Sequence, residues 1–346
     1  MAEYKGIHGT KIQNYTSDPT NPIIGQVWYN ETSQTMKVQS ATTVGSWATG
    51  GNLNTRRYGL GGAGTSNDSG IVFGGFPNGP TGATESYNGS AWTEVNDLNH
   101  GRGYIPGLGT ITAALTTGGN SATIATDTQT ESYNGTSWTE VNDLNTGRYN
   151  GTGAGTQTSG LYIGGYIPPA VTGVVESWNG TSWTETTDLN TARSGGGGAG
   201  VDNTSALIGG GGTPPSTGAT EEWNGSSWTE VNDLNTARKN QGGVGIVTSA
   251  LIFGGQTNGA PSRVGNTETW NGTSWTEDAD LSLARVSLSS SGTATVALAA
   301  GGYDGAFPFE NSTEEWTGAG APQTKTITSS KLWQHIKKFL EQISRS

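Results

Sequence analysis

The chain contains no cysteine among its 346 residues, which excludes disulfides, cysteine-ligated zinc and thiol chemistry. Histidine is nearly missing: His8, His100 and His335 are too few and too scattered for a histidine-rich metal centre. No apolar run approaches the roughly 18 residues of a membrane-spanning helix, and the opening MAEYKGIHGT lacks the basic-then-apolar order of a signal peptide. Basic residues are also scarce, 17 Lys and Arg against 28 Asp and Glu, for a formal net charge of −11. Lys325, Lys331, Lys337, Lys338 and Arg345 crowd the C-terminal end, so the body is more acidic still. That balance argues against a nucleic-acid phosphate surface, and no nucleic-acid partner is expected.

Apolar residues make up only 31% of the chain, while glycine is abundant at 57 residues. Such a composition points towards disorder unless large aromatics supply the core. Here 12 Trp and 11 Tyr do so, and they recur at intervals. A tryptophan stands at Trp92, Trp138, Trp183, Trp228 and Trp275, 45 to 47 residues apart. Six residues after each comes a leucine (Leu98, Leu144, Leu189, Leu234, Leu281), and four later an arginine (Arg102, Arg148, Arg193, Arg238, Arg285). A Gly-Gly pair begins sixteen residues beyond each arginine. Each unit reads as four short strands: a Gly-rich one such as NGTGAGTQT, an apolar one such as LYIGG, then TESYNG and SWTEV. Asn-Gly between the last two predicts a tight hairpin turn with φ > 0 at both central residues.

The ends of the array are complementary. SWATGGNLNTRR places Trp47, Leu53 and Arg57 in the repeat's spacing with no preceding TESYNG, whereas TEEW at Thr313–Trp316 is followed by Ala321 where the fourth-strand tryptophan is due. The expectation is an all-β, six-bladed β-propeller over residues 44–317, closed by its own N-terminal strand, which also hides sheet edges. Residues 1–43 form an N-terminal extension with a short hairpin, 318–330 a linker, and 331–346 a helix.

The Gly-Gly ending an apolar strand, the aromatic beside Glu, and the Trp, Leu and Arg in register together resemble the Kelch repeat. The resemblance covers roughly residues 44–317 and implies the propeller fold, in a family that holds enzymes, adaptors and structural proteins. At the N-terminus, GQVWYNETSQTMKV (Gly25 to Val38) followed by GSWATGG resembles the hairpin modules of tailed-phage structural proteins. Several of these, especially from marine phages, join such a hairpin to near-identical Kelch-like repeats. That resemblance implies a virion component of the tail or capsid exterior, with other virion proteins or a host-surface glycan or protein as partners. An extracellular or cytoplasmic setting is the alternative.

Catalytic chemistry finds little footing. The copper site of galactose oxidase, a Kelch-propeller enzyme, needs a cysteine crosslinked to tyrosine plus two histidines, which this chain cannot supply. The six arginines could suggest a sialidase-like grip on a carboxylate. An active site breaks symmetry, however, and these occupy one equivalent position per copy. Glu85, Glu131, Glu176, Glu221, Glu268 and Glu314 are their natural ion-pair partners, so bracing is expected. Asp97, Asp143, Asp188, Asp233 and Asp280 lack the ligand spacing of a calcium loop and are expected to bond their own turns. The NGS and NGT matches to the glycosylation sequon follow from the hairpin turn, and the G-x-G runs have no helix after them to cradle a phosphate. No cofactor or metal is expected, and no enzyme.

What varies between copies is the connection from second to third strand. It carries Phe76, Tyr166, Tyr303, Phe307 and Phe309, candidate recognition residues on one face. A carbohydrate-binding lectin using that face is the second reading. In the tail, Leu332, Trp333, Ile336, Phe339, Leu340 and Ile343 fall on a stripe about 120° wide. They predict an amphipathic helix, native or appended, that docks on a protein partner or self-associates.

Overall fold

A computed structural model describes residues 12–19, 23, 26–41, 44–319 and 322–327. The fold is all-β, with no helix among the described residues. The C-terminal helix expected over 331–346, with Leu332, Trp333, Ile336, Phe339, Leu340 and Ile343, lies outside them. The chain divides into two compact units, Val44–Gly318 and the two chain ends, Met1–Thr43 with Ala319–Ser346.

In the larger unit, six four-stranded antiparallel sheets follow one another. Sheet 1 comprises Gly61–Ala63, Gly70–Phe73, Thr84–Tyr87 and Trp92–Val95. Sheets 2 to 5 repeat the pattern, with outer strands at Trp138–Val141, Trp183–Glu185, Trp228–Val231 and Trp275–Asp278. Sheet 6 takes Ser289–Gly292, Val296–Ala300 and Thr313–Thr317 from one end of the unit, and its outer strand, Ser46–Thr49, from the other. The register there sets Trp316 opposite Trp47, as Tyr133 opposes Trp138 in sheet 2. The split repeat is thus rejoined by strand pairing between its two ends, Glu314 with Thr49 through to Thr317 with Ser46.

Apolar residues are spent at the joints between sheets. Leu161, Ile163 and Val175 of sheet 3 pack with Leu189 on Ala206, Ile208, Trp223 and Trp228 of sheet 4, and five further clusters fill the other joints. The leucine of each connector (Leu53 to Leu281) is buried in one of them. Dividing the core into six thin slabs explains how 31% apolar residues suffice: glycine-rich strands approach closely, and one large aromatic per outer strand fills each slab.

Two expected turns differ in the structure. Between paired Tyr133 and Trp138 lie four residues, Asn134 to Ser137, not a two-residue turn. Gly135 alone has positive φ (90°), while Asn134 Oδ1 accepts from the backbone N–H groups of Thr136 and Ser137 at 2.9 Å each. The asparagine carbonyl replaces a backbone acceptor, which makes a left-handed asparagine unnecessary. The connector aspartates likewise reach beyond their own turns. Asp97, Asp143 and Asp280 accept from the N–H of Thr84, Thr130 and Thr267, which open the third strands of their sheets.

The smaller unit holds one four-stranded sheet. Val27–Asn30 and Thr35–Ala41 form the hairpin, Gln13–Tyr15 joins in parallel, and Pro322–Thr326 pairs with Thr35–Ala41 at the other edge. The stretch 318–330, expected as a linker, therefore contributes a strand; its Pro322 sits at an edge, where a missing N–H is tolerated. Asp18 accepts from Asn30 Nδ2 (2.7 Å) and Trp28 Nε1 (3.0 Å), and these bonds hold its carboxyl below the usual carboxylate range.

Candidate recognition face

Six arginines and six glutamates, buried in the larger unit, form six ion pairs: Arg57–Glu85, Arg102–Glu131, Arg148–Glu176, Arg193–Glu221, Arg238–Glu268 and Arg285–Glu314. Each arginine lies in the segment leaving one sheet and each glutamate in the third strand of the next, so the pair clasps neighbours together. The clasp is larger than the sequence suggested. Asn99, Asn145, Asn190 and Asn235 each donate backbone N–H and Nδ2 to the same carboxylate. Charged groups so deeply engaged and so regularly repeated are structural. Burial depresses the pKa of Arg57, Arg193 and Arg285, and their glutamates oppose the shift.

Arg148 lies with its Cζ 4.4 Å from the ring centroid of Tyr162. Burial pushes the Tyr162 hydroxyl up to about 12, partly offset by Arg148. A tyrosine pKa raised by folding contributes stability that is complete below the ordinary value of about 10 and is lost as pH passes through 12. Denaturant midpoints are expected to fall between those two values, and Tyr162→Phe to flatten the decline; a wild-type midpoint constant over that range refutes this.

Two residues after each of these arginines, the chain turns through the left-handed region. Gly59, Tyr104, Asn150, Gly195, Asn240 and Ser287 have φ of 52° to 67°. Their peptides form a closed cycle: each N–H donates to the carbonyl of the preceding member, and Gly59 donates to Ser287, at 2.6–2.9 Å. Four of the six are not glycine and accept a conformation that costs on the order of 1–3 kcal/mol each. Asn150 Nδ2 donates to Asn240 Oδ1 (3.0 Å) past Gly195, where a Cβ would lie 2.2 Å from that oxygen. Behind the cycle lies a cavity of about 120 Å³, below the size of ordinary ligand pockets. At the opposite end, about 390 Å³ opens among Thr65, Thr110, Thr156, Val201, Ile246 and Thr293, with no titratable side chain. Among the described residues no group of His, Asp and Glu could hold a metal ion.

The variable connections end up on the face that carries this cycle, because first strands begin where second strands end (Gly61 opposite Phe73). Here the repetition stops. Tyr58 contacts Phe309 (4.6 Å between centroids), Phe76 (5.5 Å), Tyr104 (5.8 Å) and Tyr303 (6.2 Å). Tyr104 continues to Tyr149 (5.9 Å) and Tyr149 to Tyr166 (5.4 Å), while Phe307 stands against Phe309 and is 74% exposed. A belt of aromatic rings therefore spans sheets 6, 1, 2 and 3, most of them half-buried. Burial, and next to it Tyr58, raises the Tyr104 pKa; burial and Tyr166 raise that of Tyr149.

All five sequence candidates, Phe76, Tyr166, Tyr303, Phe307 and Phe309, lie in the belt. Tyr58, Tyr104 and Tyr149 were missed. For Tyr58 and Tyr149 the signal was present one residue after the arginine, where the copies read Tyr58, Gly103, Tyr149, Ser194, Lys239 and Val286, and for Tyr104 one position later, yet it sat inside the most regular segment. In the other two sheets the equivalent backbone-paired positions are Ser194 with Gly212 and Lys239 with Gln256.

No family model and no curated protein matches the chain. Its fold is similar to the solved structure of YjhT, with a TM-score of 0.61 and 13% identity, over 81% of this chain and 97% of that one. At that identity the likeness speaks for fold alone: an all-β, propeller-like assembly of four-stranded sheets.

Proposed function

We propose that this chain is a non-catalytic recognition module: a six-bladed, Kelch-type propeller closed by its N-terminal strand and carried on the exterior of a virus particle. The observation that carries the reading is the aromatic belt. A ring built from near-identical repeats has little reason to break symmetry on one half of one face except to meet a partner. The buried arginines and glutamates fall into six equivalent clasps rather than one asymmetric acid–base set, which favours binding over hydrolysis. The particle setting draws its support from the likeness of the N-terminal hairpin and repeats to phage structural proteins. Mass spectrometry of purified particles is expected to find the chain at structural abundance; its absence from them overturns that setting.

A second reading, a lectin, is favoured by the belt's chemistry, since half-buried tyrosines offer flat apolar faces with hydroxyls at the edge. Replacing Tyr58 and Tyr149 by alanine is expected to abolish binding on a glycan array or to a captured partner, without lowering the melting temperature of the ring. Binding that survives the double substitution refutes the belt as the recognition surface.

A further inference from the structure

The larger unit contains nine Lys and Arg residues, and six of them are consumed in the buried clasps. The remaining three, Arg56, Lys239 and Arg263, form no ion pair among the described residues; Arg56 and Arg263 touch the aromatic belt, and Lys239 is linked to Arg263 through Gln256. Arg263 places its Cζ 4.6 Å from the ring centroid of Tyr303, and its Nε has no hydrogen-bond partner. Gln256 pairs through its backbone with both Lys239 and Arg263, which sets the two cations on one short ladder. Arg56 reaches the other flank, donating through Nη1 to the carbonyl of Phe309 at 3.3 Å. In a chain of net charge −11, every uncommitted cation of this unit borders one surface.

We infer that the belt and its three cations bind an anionic polysaccharide, with sugar faces on the tyrosines and carboxylate or sulfate groups on Arg263, Lys239 and Arg56. The inference rests on the lectin reading and deepens it. Aromatic rings recognise sugar faces without regard to charge; guanidinium and ammonium groups held beside them add the preference for an anion. The two nearby carboxylates are each engaged by a neighbouring group: Asp304 accepts from the backbone N–H of Ala306, and Glu310 from Ser312 Oγ. A polymer suits the site better than a single sugar, because the belt crosses four sheets and the cations lie along its flank.

The test uses the full chain and two matched pairs of probes: oligogalacturonate with its methyl ester, and dextran sulfate with dextran. Binding of at least one charged probe, about tenfold or more above its neutral partner, is expected, weakening as salt rises. The double variant Lys239→Gln/Arg263→Gln is expected to erase that preference at an unchanged melting temperature. Equal affinity for charged and neutral partners overturns the inference, as does a double variant that binds like the parent. Failure of all four probes also overturns it. If Tyr58→Ala/Tyr149→Ala still abolishes capture of a protein partner in that case, the recognition reading stands and only the anionic glycan falls.

Discussion

Replacing Arg148 by methionine is expected to cost about 3–5 kcal/mol of stability, since it strands a buried carboxylate without its counter-charge. Arg148 is the most completely bonded of the six. Its Nη1 meets Glu176 at 2.6 Å and the Thr146 carbonyl at 2.8 Å, Nε meets the Gly164 carbonyl at 2.9 Å, and Nη2 meets that of Tyr162 at 3.0 Å. Three carbonyls and a carboxylate would lose their donor at once. A second substitution, Glu176→Gln, removes the orphaned charge and is expected to restore part of the loss, which a double-mutant cycle reads directly. Arg57 pairs with Glu85 at 3.0 Å, but its Nε, Nη1 and Nη2 make no aligned hydrogen bond, so Arg57→Met is expected to cost less. The measurement is chemical unfolding. An Arg148→Met protein with an unchanged midpoint but impaired ligand binding would falsify the clasp.

A loss of similar size, about 3–5 kcal/mol, is expected for Trp138→Ala. Trp138 is 5% exposed and packs on Phe73 (4.8 Å between centroids) and Tyr133 (5.0 Å), inside a cluster that includes Ala63, Ile71, Leu98 and Ile105. Truncation opens a hole between two sheets joined mainly by that slab, and short strands on either side cannot collapse far to fill it. Its indole nitrogen has no hydrogen-bond partner, whereas Trp183 Nε1 donates to Thr130 Oγ1 at 3.0 Å. Trp138→Phe should therefore cost less than Trp183→Phe by about 1 kcal/mol. Equal losses in the two phenylalanine variants would remove the role assigned to that bond. Trp228 illustrates how the pattern adapts: sheet 3 carries Val175 where the third strands of the other sheets carry Thr84, Thr130, Thr220, Thr267 or Thr313, and Trp228 donates to the Thr187 carbonyl instead.

Much of this architecture was legible because it repeats. A fixed spacing from tryptophan to leucine to arginine reports strand, joint and clasp in every copy, and Trp47 without its TESYNG announced the long-range pairing with Thr313–Trp316. Features that depend on through-space partners were not legible. Asn134 reads as a turn residue, but whether its side chain or its φ makes the turn depends on the four-residue span. Pro322–Thr326 has no strong strand signature and becomes a strand because Thr35–Ala41 offers it an edge. The belt was half visible: loop aromatics stood out by their variation, whereas Tyr58, Tyr104 and Tyr149 join them through the left-handed turns that set them side by side.

Those turns also bear on how such a gene can change. Near-identical repeats invite unequal recombination, which deletes or adds whole copies in frame. The cycle of peptides from Gly59 to Ser287 admits six members and hands its last hydrogen bond back to its first. A product with one copy fewer would present a donor and an acceptor facing a gap, and one with a copy more would have nowhere to seat it. Copy number is thus proofread at the protein level, while the residues of the outer face stay free to diverge.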